Sequence, residues 1–132
     1  MPFKGLPANT QRALELLDKN YIKFLNNNDF YLAGDTNLAL EFEYRISYDL
    51  DFFTRLEFDP EILLHDFKDV ELESIETSKG TLKFCLNKCA ISLFYYPYKL
   101  IANLDTLSGL QLPLANKLHI DLMKITAIAD RD

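Results

Sequence analysis

Apolar and polar positions follow a helical period at the start of the chain. Between Thr10 and Phe24 the apolar residues recur three or four positions apart, and they are Ala13, Leu14, Leu17, Tyr21, Ile22 and Phe24. This spacing places them on one face of an amphipathic helix. Because Asn9 and Thr10 both have side chains that cap helix N-termini, we predict that the helix begins at one of them.

The pattern then changes twice between Phe30 and Thr54. An apolar run from Phe30 to Ala33 stops at Gly34, a helix-like segment covers residues 36–44, and a second apolar run covers residues 46–53. Short apolar runs bounded by a glycine are typical of strands. The stretch therefore predicts a strand, a tight turn, a helix and a second strand.

Two carboxylates interrupt the second of these predicted strands. Asp49 and Asp51 are separated by Leu50, and Phe52 follows them. Since successive strand side chains point to opposite faces, we expect both aspartates on one face and both apolar residues on the other.

The remaining pattern predicts another helix, three strands and a last helix. Asp59 followed by Pro60 is typical of a helix start. Strand-like alternation covers residues 70–77, 81–86 and 90–96, with turns at Lys79-Gly80 and Asn87-Lys88. Pro113 precedes an apolar stripe that predicts a helix over residues 114–129. The order of elements indicates an α+β fold with a mixed sheet.

Composition narrows the class of protein. The 132 residues are 48% hydrophobic and 26% charged, as expected of one globular domain. The net charge of -6 argues against a broad, non-specific grip on nucleic acid, which needs a basic face, although it is compatible with a local basic patch. No apolar stretch approaches the roughly 18 residues of a membrane span, and residues 1–11 lack the apolar core of a signal peptide. We therefore predict a cytoplasmic protein without membrane contact.

The two cysteines do not form a metal-binding pattern. Cys85 and Cys89 flank the tripeptide Leu-Asn-Lys, which is typical of a hairpin tip. A zinc site needs about four ligands, and His65 and His119 stand in no ligand spacing to the thiols. We expect free thiols in a reducing compartment.

The glycine turn and the carboxylate pair together indicate phosphate chemistry. A strand that ends in Gly34 and leads into a helix offers backbone N–H groups and a helix N-terminus to an anion. Asp49 and Asp51 offer hard oxygen ligands of the kind that bind Mg²⁺. Together these features are typical of phosphoryl or nucleotidyl transfer. On spacing alone, two solvated carboxylates on an exposed strand remain an alternative.

Several separated motifs resemble the AbiEii/AbiGii toxin family of nucleotidyltransferases. They are Phe30-Tyr-Leu-Ala-Gly34, Thr36-Asn-Leu-Ala-Leu40, Arg45-Ile-Ser47, Asp49-Leu-Asp-Phe-Phe53, Gly80-Thr-Leu82, Ile91-Ser-Leu-Phe-Tyr-Tyr-Pro-Tyr98 and Asp121-Leu-Met-Lys124-Ile-Thr-Ala-Ile-Ala-Asp-Arg131. The resemblance covers nearly the whole chain. It implies the minimal nucleotidyltransferase fold, similar to that of polymerase β, over residues 1–132, and a family architecture that continues into a C-terminal helical part.

The resemblance also implies roles for particular residues. Gly34, Asp35 and Thr36 match the phosphate-binding turn, and Arg45 and Ser47 match an Arg-x-Ser motif ahead of the carboxylates. Asp49 and Asp51 match the metal ligands, and Lys124 matches an active-site lysine on the last helix. Arg45 is equally compatible with closing a helix, and Ser47 with an ordinary strand hydroxyl. A lone helix lysine is ordinarily solvated, so the active-site role of Lys124 follows from the resemblance alone.

The implied activity is Mg²⁺-dependent transfer of a nucleoside monophosphate from a nucleoside triphosphate to an RNA, with tRNA as the family's acceptor, or to a protein. Such proteins belong to toxin–antitoxin and abortive-infection systems, so a cognate antitoxin is an expected partner. The family turn is Gly-Gly-Thr or Gly-Gly-Ser, whereas this chain has Asp35 at the second position. On the later strand only Ser92 stands where relatives place a third carboxylate. These departures leave a second hypothesis, a catalytically inactive interaction protein or decayed toxin on the same fold.

Overall fold

Helices cover one side of a five-stranded sheet in the computed structural model, which describes residues 7–33, 49–67, 71–98, 104, 111–115 and 123. In chain order the elements are α1 (Ala8–Asn20), α2 (Ile22–Asn27), β1 (Tyr31–Ala33), β2 (Asp49–Thr54), α3 (Pro60–Leu64), a 3-10 helix (His65–Phe67), β3 (Glu73–Ser78), β4 (Thr81–Leu86) and β5 (Cys89–Tyr95).

The sheet is mixed, with strand order β1-β2-β5-β4-β3. β2 and β5 run parallel, whereas β1 with β2, β5 with β4, and β4 with β3 run antiparallel. The predicted α+β class is confirmed. The parallel pair brings together two strands that are far apart in the chain, at the centre of the sheet.

Strict alternation along the central strands produces the main core. The inward side chains of β2, β5 and β4 pack against α1 and α2, and they are Leu50, Phe52, Ile91, Leu93, Leu82 and Phe84. Their removal from water supplies most of the favourable free energy of folding. The alternate side chains stand on the opposite side of the sheet, called here the outer face.

The first helical region begins earlier than its pattern indicates, and it is interrupted. The N-cap of α1 is Pro7, without a side-chain cap bond, so the predicted cap at Asn9 or Thr10 is wrong. Asn9 instead donates its amide to the Lys88 carbonyl at 2.9 Å, and Thr10 is buried. The helix breaks at Tyr21, whose φ of -123° leaves the helical region and whose ring stacks on that of Phe67 at 4.9 Å. No helix in the described part of the chain combines the length and apolarity needed to cross a membrane.

Local turn and cap chemistry elsewhere follows the sequence. Asp59 Oδ1 accepts a hydrogen bond from the Glu61 N–H at 2.9 Å, and Pro60 opens α3, as predicted. Asn87 and Lys88 form the two-residue turn between β4 and β5, with φ values of 52° and 61°. A two-residue turn with both φ values positive matches the twist of the strands it joins, which fixes the register of this hairpin.

The outermost described strand, β3, differs from the other strands in burial. All six of its residues are exposed, and its register with β4 shifts between Glu73 and Glu76. Ser74 has a φ of 53° within this irregularity. The alternation over residues 70–77 predicted the strand. It also suggested one buried face, whereas side chains on both faces of β3 are exposed.

Residues 111–115 add a short extended segment beside β1. Leu114 forms a parallel bridge with Leu32, supported by a hydrogen bond from the Leu32 N–H to the Pro113 carbonyl at 3.0 Å. The predicted start of the last helix at Leu114 is therefore wrong, because the backbone there completes hydrogen bonds with β1. Most of residues 116–129 lie outside the described residues.

Candidate functional site

The aspartate pair lies on the outer face of β2, at the centre of the sheet. Asp49 is exposed and Asp51 is half-buried, whereas the intervening Leu50 and the following Phe52 are fully buried. This arrangement confirms the predicted separation of polar and apolar side chains on the two faces. Along a strand, alternate residues are about 6.6 Å apart, so both carboxylates stand side by side toward the same space.

One row of side chains crosses the outer face through Asp51. The strand registers place Ala33 opposite Asp51, Asp51 opposite Ser92, Ser92 opposite Lys83 and Lys83 opposite Glu76. Ala33 is the last residue of β1, and the chain therefore leaves β1 directly beside Asp51. From β2 toward β3 the row holds the Asp51 carboxylate, the Ser92 hydroxyl, the Lys83 ammonium and the Glu76 carboxylate.

The other residues predicted for the site are not among the described ones. Gly34, Asp35, Thr36, Arg45, Ser47 and Lys124 all lie outside the described residues. Two of their chain neighbours are described: Ala33 precedes the glycine, and Met123 precedes the lysine. Met123 packs against a small cluster formed by Tyr31, Ala33 and Ala115. The chain thus reaches the β1 side of the outer face one residue before Lys124.

The parallel partner strand carries no acidic side chain next to the aspartates. Ala90 lies opposite Asp49, and Ser92 lies opposite Asp51. This register agrees with the expectation that only a serine stands at the position of a third carboxylate. The two aspartates also interact electrostatically with Cys89, the first residue of β5. Burial raises the pKa of Cys89 to about 11, a hydrogen bond with Thr10 opposes that rise, and the charges of both carboxylates add to it.

The donor set of the pair fits a divalent cation of the hard type. Two aspartate side chains supply four oxygen atoms on one face, with the Ser92 hydroxyl in the adjacent strand. Mg²⁺ is commonly held by one or two carboxylates, with water and substrate phosphates completing its octahedron. Within the described residues no group of three or more histidine, cysteine, aspartate or glutamate side chains is positioned to hold a metal.

A groove on the outer face lies on the far side of Ser92 from the aspartates. It has a volume of about 540 Å³ and is lined by Glu76, Thr77, Ser78, Thr81, Lys83 and Phe94. The Lys83 ammonium nitrogen is 5.7 Å from the centre of the Phe94 ring, and the centre of that ring is 5.2 Å from the centre of the Phe53 ring in a stacked arrangement. These residues come from β3, β4 and β5. The alternation of apolar and polar residues predicts these strands but not their order in the sheet, and the order is what brings the residues together.

A second cavity, of about 590 Å³, lies near the opposite end of β2. It is lined by Asn26, Asp29, Phe30, Tyr31, Arg55, Leu56, Leu104 and Pro113. Burial and the nearby Tyr96 raise the pKa of Tyr31, and the nearby Arg55 opposes that rise. Asp49 and Arg55 are at opposite ends of the strand, so this cavity is separate from the aspartate pair.

Comparison with solved structures identifies the architecture. A candidate nucleotidyltransferase from Thermotoga maritima (TM1012) matches with a TM-score of 0.59 and 14% identity, over 92% of this chain and 89% of that one. The chain has a nucleotidyltransferase fold. JHP933 of Helicobacter pylori matches with a TM-score of 0.53 and 17% identity, over 88% of this chain and 56% of that one. A candidate nucleotidyltransferase from H. pylori matches with a TM-score of 0.54 and 19% identity, over 86% of this chain and 57% of that one.

Sequence comparison gives a more limited result. The uncharacterized protein aq_aa25 of Aquifex aeolicus (strain VF5) is 37% identical over 107 residues, which cover 79% of this chain and 52% of that protein. The chain thus spans about half the length of the curated relative that it matches. No family model matches the sequence.

Proposed function

We propose that this domain is a nucleotidyltransferase that transfers a nucleoside monophosphate from a nucleoside triphosphate to an acceptor hydroxyl. The observation that carries the proposal is the position of Asp49 and Asp51 on the outer face of β2, beside the end of β1. The nucleotidyltransferase fold supports it. The motif resemblance adds Gly34, Asp35 and Thr36 as the phosphate turn that follows β1, with Arg45 and Ser47 ahead of the aspartates.

Asp49 and Asp51 would hold Mg²⁺, which when bound neutralises phosphate charge and stabilises the pyrophosphate leaving group. The oxygen of the acceptor hydroxyl forms a bond to the α-phosphorus of the triphosphate. The bond between that phosphorus and the bridging oxygen breaks, pyrophosphate leaves, and the hydroxyl proton passes to water. The chain's own contribution is to fix the reacting groups in line and to supply fixed charges around them. Lys124 is proposed to neutralise developing charge.

The biological setting proposed for this activity is a toxin–antitoxin or abortive-infection system. The support is the motif resemblance, which implies tRNA as the acceptor and an antitoxin as the partner. The net charge of -6 favours an acceptor held by a few contacts near its end over one held along a long basic surface.

The experiment that tests the activity is transfer of label from each α-labelled nucleoside triphosphate to total small RNA and to total protein, with Mg²⁺ or with chelator. We expect labelled RNA with Mg²⁺ only, and a loss of at least about 100-fold in Asp49→Asn and Asp51→Asn, since each removes a charged metal ligand. Asp66→Asn is the matched control, because Asp66 is exposed and lies on the 3-10 helix away from β2. Transfer that persists in both β2 variants would show that the aspartates do not carry the reaction.

Ser92 favours a second candidate function, an inactive interaction protein on the same fold. A serine opposite Asp51 leaves the site with two carboxylates on these two strands, and Asp35 adds a negative charge to the turn sequence. This candidate predicts no heat of binding for Mg²⁺ with a non-hydrolysable triphosphate in calorimetry. Micromolar binding that disappears in Asp51→Asn would exclude it.

A further inference from the structure

We propose that the groove beyond Ser92 binds the terminal nucleotides of a single-stranded RNA acceptor, with Lys83 contacting a phosphate and Phe94 contacting a base. This inference rests on the proposed function, and it names the acceptor class and the residues that select it. The groove is lined by Glu76, Ser78, Thr81, Lys83 and Phe94 on the outer face, with Thr77 beside them.

The groove and the end of β1 lie on opposite sides of Asp51. Asp51, Ser92 and Lys83 are successive neighbours across β2, β5 and β4. Adjacent strands are about 4.8 Å apart, so the Lys83 backbone is about 10 Å from that of Asp51. The end of β1 lies on the other side of Asp51, at Ala33. In an in-line reaction the attacking hydroxyl and the leaving pyrophosphate lie on opposite sides of the phosphorus. The proposed function places the triphosphate on the β1 side, so the acceptor belongs on the β5 and β4 side.

The groove lining matches the chemical groups of a nucleotide. A nucleotide presents an anionic phosphate, a planar base and ribose hydroxyls within one small volume. The groove presents the Lys83 ammonium, the Phe94 ring 5.7 Å from it and the hydroxyls of Ser78 and Thr81. The Glu76 carboxylate, opposite Lys83, is an acceptor for the hydroxyls of the ribose or the amino group of a base. Base–aromatic stacking together with a lysine or arginine is the usual means by which proteins hold single strands. The volume of about 540 Å³ is within the roughly 300–1,000 Å³ of small-ligand sites, which suits a chain end and not a duplex.

The shape of β3 favours an RNA acceptor over a peptide acceptor. An extended peptide would bind beside this groove by adding a strand to β3, the outermost described strand. The register shift between Glu73 and Glu76, with Ser74 at a φ of 53°, interrupts the regular spacing of its backbone groups. Such irregularities hinder strand addition.

The test uses Lys83→Met, which removes the charge and keeps most of the chain length, and Lys79→Met as its control. Lys79 is an exposed lysine in the neighbouring turn and does not line the groove. The probe is a fluorescein-labelled, single-stranded RNA of ten random nucleotides, and its anisotropy is measured without any nucleoside triphosphate. We expect about tenfold weaker binding for Lys83→Met, a salt slope smaller by about one, and wild-type behaviour for Lys79→Met.

A second measurement separates this proposal from the activity itself. With the same RNA and labelled triphosphate, Lys83→Met and Phe94→Leu should raise the KM for RNA about tenfold, while the KM for the triphosphate stays unchanged. If the variants are active and their KM for RNA is unchanged, the RNA site proposed for the groove is wrong and the proposed activity still holds. If the wild-type chain has no transferase activity but the variants bind RNA more weakly than it does, the RNA site in the groove is supported and the proposed activity is wrong. Wild-type protein that binds no RNA, or that labels only a protein acceptor, overturns the groove proposal.

Discussion

The Asp18 carboxylate accepts a hydrogen bond from the Leu112 backbone N–H at 2.8 Å, across a separation of 94 residues. The same oxygen also accepts from the Gln111 N–H at 2.7 Å. Asp18 is 5% exposed, at the end of the buried stripe of α1. A single side chain on the first helix thus holds the segment that pairs with β1, next to the outer face.

We predict that Asp18→Ala lowers the free energy of unfolding by about 2–4 kcal/mol. The substitution removes the carboxylate acceptor and leaves the buried Leu112 N–H without it. Asp18→Asn should cost less, because an amide oxygen still accepts. Urea unfolding followed by circular dichroism measures the difference. Lys19→Ala is the control, since Lys19 is exposed on the same helix, and it should change stability by less than about 0.5 kcal/mol. Equal effects of the alanine variants at 18 and 19 would contradict this role.

A second stability prediction concerns Thr54 at the end of β2. Its hydroxyl donates to the Asn28 carbonyl at 2.6 Å and accepts from the Leu56 N–H at 3.1 Å, and the side chain is fully buried. Thr54→Val keeps the shape and removes both bonds, so we expect a loss of about 1–3 kcal/mol.

Thr77→Val is the comparison for Thr54→Val. The Thr77 hydroxyl donates to Glu61 Oε1 at 3.2 Å at an exposed position, where water can replace it. Thermal unfolding should show a small change at position 77 and a clear one at position 54. A similar loss of stability at both positions would mean that burial does not determine how much the Thr54 hydrogen bonds stabilise the fold.

A third prediction adds the acidic group that β5 lacks. Ser92→Asp places a third carboxylate beside Asp51 and Asp49. Without divalent cations the like charges should lower the melting temperature. With millimolar Mg²⁺ we expect a rise of about 4 °C or more, because binding to the folded state alone stabilises it. Ser92→Asn is the uncharged control. A melting temperature of Ser92→Asp that does not respond to Mg²⁺ would argue against a cation site at β2.

The fourth prediction follows from the buried Cys89 thiol. Burial raises its pKa to about 11, whereas Cys85 stands half-exposed on the other side of the hairpin. A raised pKa in the folded state means that the unfolded chain loses the proton first. The contribution of Cys89 to stability is therefore complete below about pH 9 and decreases as the pH rises toward 11.

Two measurements check this prediction. Iodoacetamide at pH 8, followed by mass spectrometry, should alkylate Cys85 faster than Cys89, since the thiolate is the reacting species. The stability difference between wild type and Cys89→Ala should shrink between pH 9 and 11. A constant difference over that range would mean that the folded and unfolded thiols ionise together.

Local chemistry explains which parts of the fold could be predicted from sequence. Alternation alone assigned Asp49 and Asp51 to a different face from Leu50, because the strand period leaves no other arrangement. Asp59 before Pro60 identified the start of α3 for a similarly local reason. The sequence also predicted that Cys85 and Cys89 would not be disulfide-bonded, and neither forms a disulfide.

Tertiary contacts determine the parts of the fold that the sequence pattern did not predict. Asp18 shares the buried stripe of α1, yet a carboxylate on a helix is ordinarily solvated, and its backbone partners lie in a distant segment. Leu114 has a helical pattern around it but pairs with Leu32 instead. The proximity of Lys83 to Ser92 required knowledge that β5 lies between β2 and β4. The roles proposed for Gly34 and Lys124 stay predictions.

The parallel pairing of β2 with β5 has a consequence for how the molecule acquires its site. Asp49 and Ala90 are partners although roughly 40 residues separate them, and contacts of such long range form slowly because a large loop must close first. The β4–β5 hairpin can form early, from neighbouring residues. We therefore expect the aspartates to gain Ser92 and the groove as neighbours only in the last stage of folding, so that ligand binding at this face reports the completely folded chain.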